Sequence, residues 1–181
     1  MGIRRGPTAA GEWVLLSYRL PRDPSTPRIA LWRRLRRLGA RQIGDGLVAL
    51  PADARTREQF EWLADEVLDA GGAAGVWLAR PSSMAQERTM ATAMATARAA
   101  EYDVIAAEAT RLRTAIEPER TKALARLRRT WRDVSRRDYF PPPERDTARA
   151  ALDALANSST PHPYEPDPSV ASETVAEGVS E

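Results

Sequence analysis

Five arginines, Arg33, Arg34, Arg36, Arg37 and Arg41, fall within nine residues of the stretch LWRRLRRLGARQIGDGLVALP, which runs from Leu31 to Pro51. A guanidinium is a planar fork that holds phosphate or another oxyanion through paired hydrogen bonds. Several forks on one rigid helix bind such a group without reorganising. On a helical wheel Arg33, Arg36 and Arg37 lie opposite the leucine stripe, and Arg34 lies at its edge. No glutamate stands one turn away to neutralise them. A solvated helix back carrying incidental charge has the same composition, so the pattern alone leaves both readings open. Further along, Arg126, Arg128, Arg129, Arg132, Arg136 and Arg137 make a second basic run.

Other chemistry is sparse. The 181 residues contain no cysteine and one histidine, His162, set between two prolines. This removes disulfides, thiolate nucleophiles and Cys-based zinc sites, and nearly removes histidine acid-base catalysis. No metal site and no cofactor are expected, and an enzyme is the least favoured class, since no Gly-x-Gly-x-x-Gly fingerprint is present either. Glu101 and Glu108 lie seven residues apart near a methionine stripe. Burial there would demand arginine partners, for which Arg126 or Arg129 on a facing helix are available. A structural ion pair is the plainer role for them. The sharper one is competition with an incoming anion for the same arginines. Met84, Met90 and Met94 read as core fillers, and Trp62 projects away from the apolar side of its helix.

Charge is unevenly spread. The net +2 hides a body, residues 1–149, that holds all 27 cations, 26 of them arginine, while residues 150–181 hold six acids and no Lys or Arg. Base composition of the coding DNA explains much of the arginine preference. The longest early apolar run, WVLLSY, is too short for a signal peptide or membrane helix, so a cytoplasmic, non-membrane protein is expected.

The elements that position these residues follow from pattern. Residues 1–11 read as a flexible arm. EWVLLSYRL (12–20) reads as a strand ended by Pro21. Ser25 or Thr26 caps a helix that runs to Gly39, with Leu31, Trp32, Leu35 and Leu38 as its apolar stripe. Two short strands flank Gly44-Asp45-Gly46, and Thr56 caps a second helix closed by Gly71-Gly72. AAGVWLA is a fourth strand. The fold class is therefore α+β: a ferredoxin-like βαββαβ domain over 12–80, then a long helical hairpin within a helical region over 81–156. Both faces of the first strand are apolar, so a partner subunit or the next segment must cover the second face of the sheet. The stripe of the long helix is expected at Met90, Met94, Ala97, Val104, Ile105 and Leu112. The seam of the next helix is Leu124, Leu127, Trp131 and Val134. Tyr139-Phe140 should tuck against the body, and a short helix, RDTARAALDALA, follows. Residues 157–181, acidic and proline-rich, read as disordered.

The ordered sequence WVLLSYRLPRDPSTPRIALWRRLRRLGARQIGDGLVALPADARTREQFEWLADEVLDAGGAAGVWLAR, followed by EYDVIAAEA and RDYFPPPER, resembles the N-terminal domain of the chromate resistance protein ChrB family. The resemblance covers roughly residues 12–156. It implies a bacterial protein tied to chromate resistance, with a role as a chromate-responsive transcriptional regulator. Members often carry a further C-terminal chromate-resistance domain, which is not in this sequence. A weaker similarity over 13–51 points to the ferredoxin-like domains of the phenylacetate repressor family and of small CRISPR-associated endonucleases. Those nucleases need a carboxylate at the end of the first strand, where this chain has Arg19, so the nuclease reading is rejected.

The leading reading is thus a homodimeric regulator that binds DNA and chromate or a related oxyanion. Arg33, Arg36, Arg37, Arg128 and Arg132 are the candidate nucleic-acid contacts, and Arg19 and Arg41, near strand ends, the candidate anion contacts. The alternative is a non-catalytic interaction module that partners a separate chromate-resistance domain.

Overall fold

Hydrophobic periodicity and turn residues divide the chain into the expected succession of elements. The computed structural model describes residues 11–158. It comprises β1 (Trp13–Arg19), α1 (Thr26–Leu38), β2 (Arg41–Gly44), β3 (Leu47–Pro51), α2 (Ala54–Asp69) and β4 (Ala73–Ala79). Then come α3 (Met84–Arg111), a 3-10 turn (Leu112–Thr114), α4 (Glu117–Ser135) and α5 (Glu144–Asn157). The expected arm and acidic tail lie outside the described residues, apart from Gly11 and from Asn157 and Ser158 at the end of α5.

The four strands form one antiparallel sheet in the order β2-β3-β1-β4. Register explains the two faces, because directly paired residues point the same way. Val14 lies opposite Leu50 and Leu78, and Leu16 opposite Val48 and Val76. Val14, Leu16, Val48 and Leu50 form a core with Leu31 and Leu35 of α1 and with Phe60, Leu63, Ala64 and Val67 of α2. On the other face Trp13 and Leu15 lie opposite Ala79 and Trp77. Here the following segment supplies part of the cover. Met90 and Met94 of α3 join the same core, and Phe140 stacks on Trp13 at 5.9 Å between ring centroids. Towards β4 and the β2–β3 turn the face stays open, and Trp77 is 60% exposed.

The remaining helices build a second core of Tyr102, Ile105 and Ala109 of α3, Leu127 and Val134 of α4, and Ala148, Leu152 and Leu155 of α5. The expected hairpin is therefore part of a three-helix arrangement, in which α5 packs more extensively on α3 than α4 does. Among the described residues no helix is long and apolar enough to cross a membrane.

Several local expectations are corrected. Asp53, not Thr56, is the N-cap of α2: its carboxylate accepts from the Thr56 N–H at 2.7 Å, and the Thr56 hydroxyl accepts from the Asp53 N–H at 3.0 Å. This is a capping box in which threonine takes the place usually held by Glu or Gln. Trp32 is 55% exposed rather than in the stripe. Leu31 and Leu35 hold the core line, and a residue one step round the helix falls at its border, where the Arg36 guanidinium covers the indole ring at 5.0 Å. Val104 is 65% exposed, because Tyr102, Ile105, Ala109 and Leu112 follow one another at spacings of 3, 4 and 3 and leave it on the far side. Ala97 is exposed as well, since the line from Met90 and Met94 runs on to Tyr102 in steps of four, and Met84, at the first residue of α3, is 60% exposed rather than a core filler.

Candidate anion and nucleic-acid interface

The carbonyl end of α1 is where the two arginine-rich segments meet. Gly39 ends the helix in the left-handed region at φ 72°, with its N–H donating to Arg36 O and that of Ala40 to Leu35 O, both at 3.1 Å. The Tyr139 hydroxyl donates to Leu38 O at 3.2 Å. The turn after α4 is thereby tied to α1, and Arg136 and Arg137 come to face Arg36 and Arg37. Together with Glu101 and Asp133 these four arginines line a cleft of about 660 Å³. A smaller cavity of about 260 Å³ adjoins it and shares Arg36 and Arg137; its walls add Trp32, Arg41, Met94 and Arg98.

The charges in this region are only partly matched. Arg137 grips Glu101 with both terminal nitrogens, Nη1 to Oε1 at 2.8 Å and Nη2 to Oε2 at 2.5 Å. Arg98 reaches the same carboxylate through Nη2, at 2.9 Å. The Asp133 carboxylate lies 3.6 Å from Arg136. Among the described residues Arg33, Arg36, Arg37, Arg41, Arg128, Arg129 and Arg132 have no carboxylate within 4 Å. Arg34, by contrast, pairs with Glu66 of α2. Mutual repulsion of so many free guanidiniums is relieved by an anion, so the region is chemically suited to hold one.

Below the cleft the polar groups are deeply placed. The Arg98 side chain is 12% exposed, and burial pulls its pKa down against the opposing pull of Glu101. Its Nε is buried without a partner among the described residues, as is Oδ1 of Asp138. The Asp138 side chain is fully buried and accepts from the Tyr102 hydroxyl at 2.9 Å. Burial raises the pKa of both Asp138 and Tyr102. Among the described residues no group of three or more His, Cys, Asp or Glu side chains could hold a metal ion.

Of the sequence candidates, Arg36 and Arg37 line the cleft, and Arg41 lines the smaller cavity. Arg33, Arg128 and Arg132 are exposed on α1 and α4 but outside these walls. Arg132 stands one helical turn before Arg136 and so extends the basic face of α4. Arg19 is not brought near Arg41: it lines a separate cavity of about 670 Å³ with Arg22, Arg28, Gly71 and Gly72. Glu108 pairs with Arg126 as expected, at 2.5 Å. Glu101 instead takes Arg137 and Arg98. Sequence reasoning overlooked Arg98; its one signal was the three-residue spacing to Glu101 on an alanine-rich helix.

Comparison with known proteins bears on the same region. The family model described as "Protein ChrB, N-terminal" matches residues 28–162, which include α1 from its third residue, all of α3 and α4 and every residue lining the cleft. Protein ChrB of Cupriavidus metallidurans is 27% identical over 161 residues, covering 83% of this chain and 49% of that protein. The chain thus spans about half the length of the curated relative it matches. No solved structure shows significant similarity to it. With the match extending over well over half of the chain and over the whole framework of the arginine cleft, this protein belongs to the ChrB N-terminal family.

Proposed function

We propose that this chain is a chromate-resistance-associated regulatory protein, acting in the cytoplasm as a homodimer, that binds DNA through arginines of α1 and α4 and responds to chromate or a related oxyanion. The observation that carries the reading is the convergence of Arg36 and Arg37 with Arg136 and Arg137 on one cleft, flanked by exposed arginines without carboxylate partners. A surface of this kind suits a phosphate backbone, because each contact adds a charge-assisted hydrogen bond and releases counterions. Family membership supplies the link to chromate, and the sheet order with two helices on one face supports reading residues 12–80 as ferredoxin-like.

The test is fluorescence anisotropy of labelled DNA taken from upstream of the gene, across a salt series, with and without chromate. Tight binding that weakens steeply with salt and, at constant ionic strength, is released by chromate is the expected outcome. Weak, sequence-blind binding indifferent to chromate would sink the regulator reading. The open half of the sheet, where Trp77 and Ile43 are exposed beside Leu15, favours the alternative of an interaction module for a separate chromate-resistance domain. Under that reading the wild-type chain binds no DNA, and loss of partner binding tracks Trp77→Ala.

A further inference from the structure

Glu101 occupies an unusual position for a surface carboxylate. It is held by two hydrogen bonds from Arg137 and an ion pair from Arg98, both arginines largely buried: the Arg98 and Arg137 side chains are 12% and 21% exposed. It stands where the two cavities adjoin, and one of its arginines, Arg137, lines both. Around it Arg36, Arg37 and Arg41 have no carboxylate of their own among the described residues. One negative charge therefore sits inside a larger positive cluster, in the place an external anion would favour.

We infer that Glu101 is a built-in competitor for a small tetrahedral dianion site formed by Arg36, Arg41 and Arg137 in the smaller cavity. The inference rests on the anion-binding reading above and says how that binding is regulated. The two arginines of Glu101 are not equivalent. Arg137 contributes the bidentate grip and lines both cavities, whereas Arg98 reaches one oxygen only and lines the smaller cavity alone. When Arg137 turns to an incoming dianion, Glu101 keeps Arg98 and is not left as an unpaired, half-buried charge. Exchange is thus favourable only for an anion that offers Arg137 more than a carboxylate does. A doubly charged tetrahedral ion meets that condition, because its four oxygens engage several forks at once; a monoanion such as nitrate does not.

Size separates the two cavities. At about 260 Å³, walled in part by Trp32, Ala93, Met94 and Ala97, the smaller one suits a sulfate-sized ion. The 660 Å³ cleft lined by α1 and the end of α4 has room for a phosphodiester strand. Since Arg36 and Arg137 serve both, a dianion in the smaller cavity withdraws two cations from the cleft, and the two ligands exclude one another. Glu101 sets the concentration at which this happens.

The test is titration calorimetry of the wild-type chain, Glu101→Gln and Arg137→Gln with sodium chromate, sodium sulfate and sodium nitrate at constant ionic strength. Glu101→Gln is expected to bind both dianions roughly tenfold more tightly than wild type, the loss of a competing charge-assisted interaction, and to relax the wild-type discrimination against nitrate. Its melting temperature should rise more on adding a dianion than that of wild type. Arg137→Gln, which preserves the Glu101–Arg98 pair, is expected to lose at least tenfold in dianion affinity. A folded Glu101→Gln whose dianion affinity is unchanged or weaker would overturn the proposal and leave Glu101 as a structural strut. So would wild-type dianion affinity in Arg137→Gln, which serves if the first variant does not fold. These titrations contain no DNA. Failure of the DNA-binding reading would therefore leave their outcome intact, and a negative titration beside positive anisotropy would count against this inference alone.

Discussion

Arg36, Arg137 and Gly39 show how much of the site depends on single side chains. Arg36 stacks on Trp32 and lines both cavities, so its guanidinium is oriented before any ligand arrives. Gly39 keeps the floor clear. A Cβ there would meet Arg98 Nη1 at 2.9 Å and Arg137 O at 3.1 Å, in a backbone conformation of positive φ that side chains disfavour. Gly39→Ala is expected to cost about 1–2 kcal/mol from the left-handed conformation, as measured by urea denaturation. Because Arg98 must also shift, dianion binding should weaken in the folded fraction. An unchanged midpoint would show that the α1 terminus tolerates a side chain and that Arg98 is free to move.

At the scale of elements, the Glu108–Arg126 ion pair straps α3 to α4. Glu108 accepts from Arg126, and that hydrogen bond holds its carboxyl pKa below the ordinary value. The sign follows from linkage. With a lower pKa in the folded chain, the folded state binds fewer protons than the unfolded one as the carboxylate range is entered. The stabilisation is complete above the ordinary carboxylate pKa and is lost as pH falls through the lower folded value. Glu108→Gln should therefore flatten the acid side of a plot of stability against pH and leave its neutral plateau only slightly lowered, since the pair is largely exposed. Asp138 acts in the opposite sense. Burial raises its pKa, so its contribution is greatest below the ordinary value and declines as pH rises through the raised one. An acid limb that is equally steep in wild type and Glu108→Gln would show that the strap contributes nothing.

On the scale of the whole molecule, α3 is the member that joins the two halves. Its first turns contribute Met90 and Met94 to the core beneath the sheet, and its later turns contribute Tyr102, Ile105 and Ala109 to the helical core. Arg98 and Glu101 lie between these two sets, which places the cleft at the junction of the cores. The basic faces of α1 and α4 extend outward from it through Arg33 and Arg132. If both contact phosphates, Arg33→Ala and Arg132→Ala should each reduce the slope of log K against log salt by about 1 and weaken all DNA sequences alike. Anisotropy over the same salt range checks this. A slope that does not change would remove those two residues from the interface.

The sequence by itself determined the local elements, because strand alternation, helix stripes and glycine or proline punctuation act over a few residues. β1, the glycine end of α1, the β2–β3 turn and β4 all lie where pattern placed them. It also determined the chemistry available: no thiol, one histidine and an excess of arginine in the body. Tertiary structure alone decided which arginines act together. Arg36 and Arg137 are about a hundred residues apart and meet through the Tyr139 hydroxyl and the Phe140 ring, contacts that no periodicity encodes. Arg19 and Arg41 are both near strand ends and yet line separate cavities, because strand ends in sequence are not one place in a sheet. The partner of Glu101 was likewise settled by packing. Arg126 and Arg129 were the nearer choices by sequence, but α4 carries Arg137 to that carboxylate and leaves Arg126 for Glu108. Helical phase fixes which face a side chain occupies; the crossing and offset of two helices fix whom it meets.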